Sequence, residues 1–158
     1  MTDEIKPDFG QSGDVEKPAL IPKDYSGTSP SDPEHRFTGL PLCVEYIDGV
    51  TWRLCTCVSY LTKAKELSTV RAGFEFDFAS VPRPLWWLLP PAGVGGNPYG
   101  IAAMFHDWLY SHKAIYGRAI KRNEADDLFL EIMLYTGVNT IVAHIMWSQV
   151  RMWGWAAW

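Results

Sequence analysis

The apolar and polar positions divide the chain into a strand-forming part and a helix-forming part. Leu40–Ile47 and Val50–Tyr60 read as two strands, and Asp48-Gly49 between them is a two-residue hairpin signal, because both central turn positions need positive φ. Thr62–Thr69 is ambiguous, since its Lys-Ala-Lys-Glu-Leu stretch also suits a short helical turn. Gly73–Phe76 reads as a further short strand. Pro82, Pro84, Pro90 and Pro91 then forbid long regular structure, and Gly93–Gly100 is a glycine-rich loop.

Three helices follow. The first spans about Gly100–His112, with Ile101, Phe105 and Leu109 at helical spacing. The second spans about Asn123–Tyr135, with Asn123 as N-cap, acidic residues in its first turn and Gly137 at its C-terminal stop. Leu128, Ile132 and Tyr135 line one face, widened by Phe129 and Met133. The third runs from about Asn139 to near Gly154, with Ile141, Val142, Ile145 and Met152 as its apolar stripe. The pattern predicts an α+β fold: a small antiparallel β-hairpin sheet followed by three helices.

Residues 1–36 differ from the rest. They hold five of the eleven prolines and only two aromatics, Phe9 and Tyr25, too little apolar surface to offset the entropy of ordering. They read as an extended arm that a partner orders, and residues 37–158 as one globular domain. The arm carries eight acidic and four basic residues and the body ten of each, so the net charge of −4 belongs to the arm. No basic nucleic-acid footprint exists. Cys43, Cys55 and Cys57 contain no CxxC pair and are too few for a zinc tetrad or a disulfide framework, which suits a reducing cytoplasm. The acidic N-terminus is no signal peptide, and no run reaches the roughly 20 apolar residues of a membrane span.

The chemistry concentrates in residues 74–133. His106 and Tyr110 are four apart and share a helix face, while Asp107 lies about 100° round from His106. Ala102 and Ala103, one turn earlier, leave room above that face. A connection of about ten residues makes the first two helices antiparallel neighbours, so Asp126 can reach the His106 ring. A carboxylate on one imidazole nitrogen fixes the tautomer and leaves the other nitrogen to take a proton from water. Asp107 is then available to a hard cation, with carbonyl oxygens completing the shell. The alternative is a structural network, with Asp126 and Asp127 simply favouring a helix N-terminus. His35, His112 and His144 read as surface or packing residues. Ser80 is not in a Gly-x-Ser-x-Gly elbow and reads as a cap. Lys113, Arg118, Lys121 and Arg122 crowd the inter-helix loop, where they would attract a phosphate group or merely be solvated. The segment containing Trp86 and Trp87 is core, partner surface or a membrane-touching wedge, and Trp153, Trp155 and Trp158 pose the same choice.

Three motifs in order, Gly73-Phe74-x-x-Asp77-Phe78-Ala79-Ser80-Val81-Pro82, His106-Asp107-x-x-Tyr110 and Arg122-x-x-Ala125-Asp126-x-x-Phe129, resemble an uncharacterised family of bacteriophage and prophage proteins. That resemblance covers roughly residues 40–157. It implies a phage origin; such a protein would be a virion component of the tail or baseplate, made in the host cytoplasm and joined through its arm to other virion proteins in an oligomeric assembly, or a free cytoplasmic phage protein that binds a host factor. A looser resemblance is to small secreted phospholipases of the A-two type, which present His-Asp-x-x-Tyr on one helix and an Asp on the antiparallel one. It implies a metal-assisted hydrolase in which His106 is the base, Asp107 a calcium ligand, Asp126 the group that orients His106, and Tyr110 a supporting hydrogen bond. Asp77-x-x-Ser80-x-Pro82 resembles the calcium-loop region of the bacterial forms, which makes Asp77 a second metal candidate and Ser80 a supporting residue, beside Arg122. Trp86 and Trp87 would touch a membrane or partner, and the substrate would be a phospholipid ester or another cell-envelope bond such as those of peptidoglycan.

Overall fold

A computed structural model describes residues 36–48, 51–77 and 98–158, with Asp77 and Pro98 described by their backbone alone. The described chain is α+β. Six short strands come first: β1 (Phe37–Thr38), β2 (Val44–Asp48), β3 (Thr51–Leu54), β4 (Val58–Leu61), β5 (Leu67–Val70) and β6 (Glu75–Asp77). They form two antiparallel three-stranded sheets, ordered β1-β4-β5 and β2-β3-β6. Helix α1 (Pro98–His112) follows, then a two-stranded hairpin of β7 (Ala114–Ile115) and β8 (Arg118–Ala119). The chain continues through α2 (Arg122–Tyr135) and α3 (Thr140–Trp153) and ends in a 3-10 turn at Gly154–Ala156.

The β2–β3 hairpin is present, paired from Val44↔Leu54 to Asp48↔Thr51. Asp48 is not a turn residue as expected but the last residue of β2, so the strands are joined by residues 49 and 50, which lie outside the described residues. The long strand expected over Val50–Tyr60 is two strands in different sheets. They are separated at Cys55–Cys57, where the chain leaves one ladder and enters the other. Thr62–Glu66 is not helical. It is a hairpin loop, with the Thr62 N–H donating to the Glu66 carbonyl at 2.9 Å, the Lys65 N–H to the Thr62 carbonyl at 2.9 Å, and Lys65 at φ 62°. Beyond it, Leu67–Val70 completes the ladder against β4, because Tyr60↔Ser68 and Val58↔Val70 put Val58, Tyr60 and Val70 together on the buried face.

Helix α1 is the centre of the core. Ala102, Ala103, Met104, Phe105, His106, Leu109 and Tyr110 are all buried, so the alanines expected to leave room above the site are themselves covered. One side of the helix meets β5 and β6, the other α2, and α2 in turn carries α3. Between α1 and α2 the sequence suggests a plain loop. The structure has a β-hairpin whose turn residues Tyr116 and Gly117 both take positive φ, 49° and 76°. Such a turn reverses the chain within two residues and lays α2 antiparallel to α1.

The helix ends also differ in detail. Lys121, not Asn123, is the N-cap of α2, and the Glu124 carboxylate closes the turn by accepting the Lys121 N–H at 3.0 Å. That bond and the Arg118 guanidinium hold Glu124 below the usual carboxylate range. Gly137 takes φ 84° just past α2, as expected, and Asn139 caps α3 by accepting from the Ile141 and Val142 N–H groups. The apolar stripe of α3 is half as expected: Val142 and Ile145 are half-buried, but Ile141 and Met152 are 72% and 56% exposed, while Ala143 and Met146 are buried. The helix turns toward α2 the face that starts from Val142, and Trp147 and Val150 complete it.

Candidate functional site: a buried carboxylate shared by three helices

Asp126 begins the second turn of α2, with no exposed surface. Its Oδ1 accepts the Tyr110 hydroxyl at 2.6 Å and is 3.2 Å from His106 Nε2. Its Oδ2 accepts from Arg122 Nη1 at 3.3 Å, one helical turn back, and is 3.6 Å from Arg151 Nε. The i,i+4 spacing of His106 and Tyr110 brings both donors to one oxygen, and the hairpin between the helices sets the height at which Asp126 meets them. Arg122 also donates to the carbonyls of Val150 and Arg151 at 3.2 and 3.1 Å, so one guanidinium joins the carboxylate to the end of α3.

Burial alone would push the Asp126 carboxyl up, but the hydrogen bonds from His106 and Tyr110 and the nearby Arg122 charge outweigh it and hold it low. Asp126 is therefore an acceptor at both oxygens. His106 Nε2 then donates the shared bond, an arrangement that in a neutral imidazole leaves Nδ1 as the basic nitrogen. Tyr110 is shifted upward, first by burial and then by its bond to Asp126, and it stays a donor. The imidazole is 7% exposed and lies against the rings of Tyr110 and Phe129, at centroid distances of 4.1 and 4.9 Å.

Asp107 is half-buried, one position along α1 from His106. Among the described residues, no three His, Cys, Asp or Glu side chains converge to hold a metal ion. The Asp77 backbone ends β6, paired with Thr51, but its side chain is not among the described ones. Ser80, Trp86 and Trp87 also lie outside the described residues. The structure thus brings together His106, Tyr110, Arg122 and Asp126. His112 stacks on Trp108 and His144 is exposed, apart from the site.

Three contributors were missed in the sequence. A Cβ on Gly154 would overlap the Tyr110 hydroxyl, so only glycine lets the end of α3 approach there. Trp158 sets its ring edge-on to Tyr110, with centroids 5.0 Å apart. Arg151 extends to Asp127 at 2.6 Å, beside the Trp147 indole N–H that donates to the same oxygen at 3.1 Å. A basic residue four before a buried acid is a legible signal for Arg122; nothing local to Gly154 marks its contact.

A histidine held by a buried carboxylate between two antiparallel helices, on an α+β frame, is thus the centre of the molecule. The chain belongs to a family of proteins of unknown function, DUF1353, which it matches over residues 52–150, a span that includes all four residues. No curated protein and no solved structure matches it.

Proposed function

We propose that this is a bacteriophage protein of the tail or baseplate, whose His106 acts as general base on a cell-envelope bond during infection. The observation that carries the chemistry is the His106–Asp126 pair: a low-lying buried carboxylate holds Nε2 and so commits Nδ1 to proton removal. The virion assignment rests on the likeness of the three motifs to phage proteins, and the hydrolytic one on the likeness of His106-Asp107-x-x-Tyr110 to phospholipases. In this reading the substrate is a phospholipid ester or a peptidoglycan bond. Asp107 holds a hard cation of the calcium type, which would supply positive charge beside an ester oxyanion. The arm of residues 1–36 docks on other virion proteins.

The test is release of fatty acid from liposomes and of fragments from purified peptidoglycan, by wild type, His106→Ala and Asp107→Ala, with and without a calcium chelator. Release from one substrate should disappear in both variants while their circular dichroism stays that of wild type. Release that survives His106→Ala would falsify the mechanism. Deletion of residues 1–35 should abolish incorporation into particles and leave the body's unfolding midpoint unchanged.

One observation favours a second, purely structural reading. Arg122 and Tyr110 tie Asp126 to α3 as well as to α1, which a hydrolytic pair does not require. Inactivity on both substrates, together with firm incorporation into particles, would select it.

A further inference from the structure

The outer face of the β2–β3 hairpin carries two cysteines that the His106 site does not use. The ladder pairs Val44↔Leu54 and Glu45↔Arg53, so one step outward sets Cys43 opposite Cys55. The Cys55 N–H donates to the Cys43 carbonyl at 2.9 Å, which extends the ladder to this pair. Directly opposed residues of an antiparallel pair point to the same face. Leu54 is fully buried, so its neighbour Cys55 faces away from the core, and both cysteines are exposed free thiols. Opposed Cα atoms in such a ladder stand about 4.5–5.5 Å apart, inside the span of about 4.4–6.8 Å that a disulfide bridges.

We propose that Cys43 and Cys55 form a modification site, a cross-strand dithiol that a small-molecule disulfide such as oxidised glutathione converts to an intrachain bridge. One thiolate attacks a glutathione sulfur and expels the first reduced glutathione. The second thiolate then attacks the protein sulfur of the mixed disulfide and expels the other. The two cysteine sulfurs are oxidised, the glutathione disulfide is reduced, and the two thiol protons end on the departing glutathiones or in solvent.

Two further observations support the pairing. The neighbouring Cys43 thiol is the largest cause of an upward shift at Cys55, ahead of burial and of the Glu45 charge, with Arg53 opposing. The Cys55 thiol has its own hydrogen bond to the Arg53 carbonyl at 4.0 Å, and a thiol held high reacts slowly near neutral pH. The third cysteine is engaged elsewhere, since Cys57 Sγ accepts the Ala72 N–H at 3.5 Å. In a reducing cytoplasm the pair stays open; where oxidised glutathione is in excess it closes and ties the start of β2 to the end of β3.

The experiment uses the full chain, incubated with excess oxidised glutathione, alkylated, digested with trypsin and analysed by mass spectrometry. The intact protein should become two hydrogens lighter. A link should join the tryptic peptides of residues 37–53 and 54–63, with Cys57 the single alkylated cysteine. Cys57→Ser should bridge like wild type, and Cys43→Ser should stop at a glutathione adduct. A wild-type chain with three alkylatable thiols, a link through Cys57, a dimer between chains, or an adduct that never resolves would each overturn the proposal. So would an internal bridge in Cys43→Ser.

Discussion

A carboxylate without exposed surface needs a donor on each oxygen, and the two oxygens of Asp126 divide the work. One faces the His106 and Tyr110 side chains of α1, the other the guanidinium of α2. Asp126→Ala leaves the imidazole and Arg122 facing a void, so it should lower stability by about 3 kcal/mol in urea unfolding. The pH dependence separates charge from shape. Because the folded carboxyl is held below its unfolded value, the unfolded chain binds the proton first. The stabilisation from the charge is full above about pH 5 and fades as pH falls below roughly 4, through the depressed folded value. Asp126→Asn keeps the shape without that titration. Its deficit relative to wild type should therefore be constant near neutral pH and shrink on acidification. A deficit that stays the same down to pH 2 would remove the ion pair from the account.

Among elements, the end of α3 depends on a contact made far from it in sequence. Gly154 lets the helix approach the Tyr110 hydroxyl, and Arg122 bonds the last carbonyls. Gly154→Ala must displace Tyr110 or the helix end, at a cost of about 1–3 kcal/mol. A loss of melting temperature should accompany weaker protection of the Asp126 region in hydrogen exchange, and an unaltered melt would refute the contact. Sequence reading reached the helices whose ends carry local signals: Gly137 needs its left-handed φ, and Asn139 presents a side-chain acceptor to its own helix. It also placed Asp126 against His106, because i,i+4 spacing and a short connection are local facts. Failure came where neighbours decide. Ile141 and Met152 have the right period but the wrong side, since only the position of α2 tells α3 which face to bury. Cys55–Cys57 switch ladders without any break in apolar character. Tyr116-Gly117 carries no strand pattern around it, because the strands beside it are only two residues long.

For the molecule as a whole, two clasps join sheet to helices. Glu131 on α2 accepts the Lys63 N–H at 2.7 Å and the Tyr60 hydroxyl at 3.1 Å, with Arg36 Nη1 at 3.3 Å, while Phe37 packs on Tyr60 and Tyr135. Arg118 on the small hairpin spans Glu66 on the β4–β5 loop and Glu124 on α2, at 2.9 Å to each. The first is half-sheltered and the second exposed, so only the first should matter much. Glu131→Ala leaves the buried Tyr60 hydroxyl without its acceptor and should cost about 2 kcal/mol, whereas Glu131→Gln keeps an oxygen there and should recover most of it. Equal losses in the two variants would show that charge, not the acceptor, holds the clasp. The β7–β8 hairpin has a further consequence, for the order of events as the chain folds. It brings α1 and α2 together across a loop of few residues, whereas β1 must wait for β4 and β2–β3 for β6, and closing short loops first loses least entropy. The α1–hairpin–α2 unit should be assembled in the folding transition state. Gly117→Ala, which strains the φ of 76°, should then slow refolding and leave the unfolding rate nearly unchanged in stopped-flow chevrons.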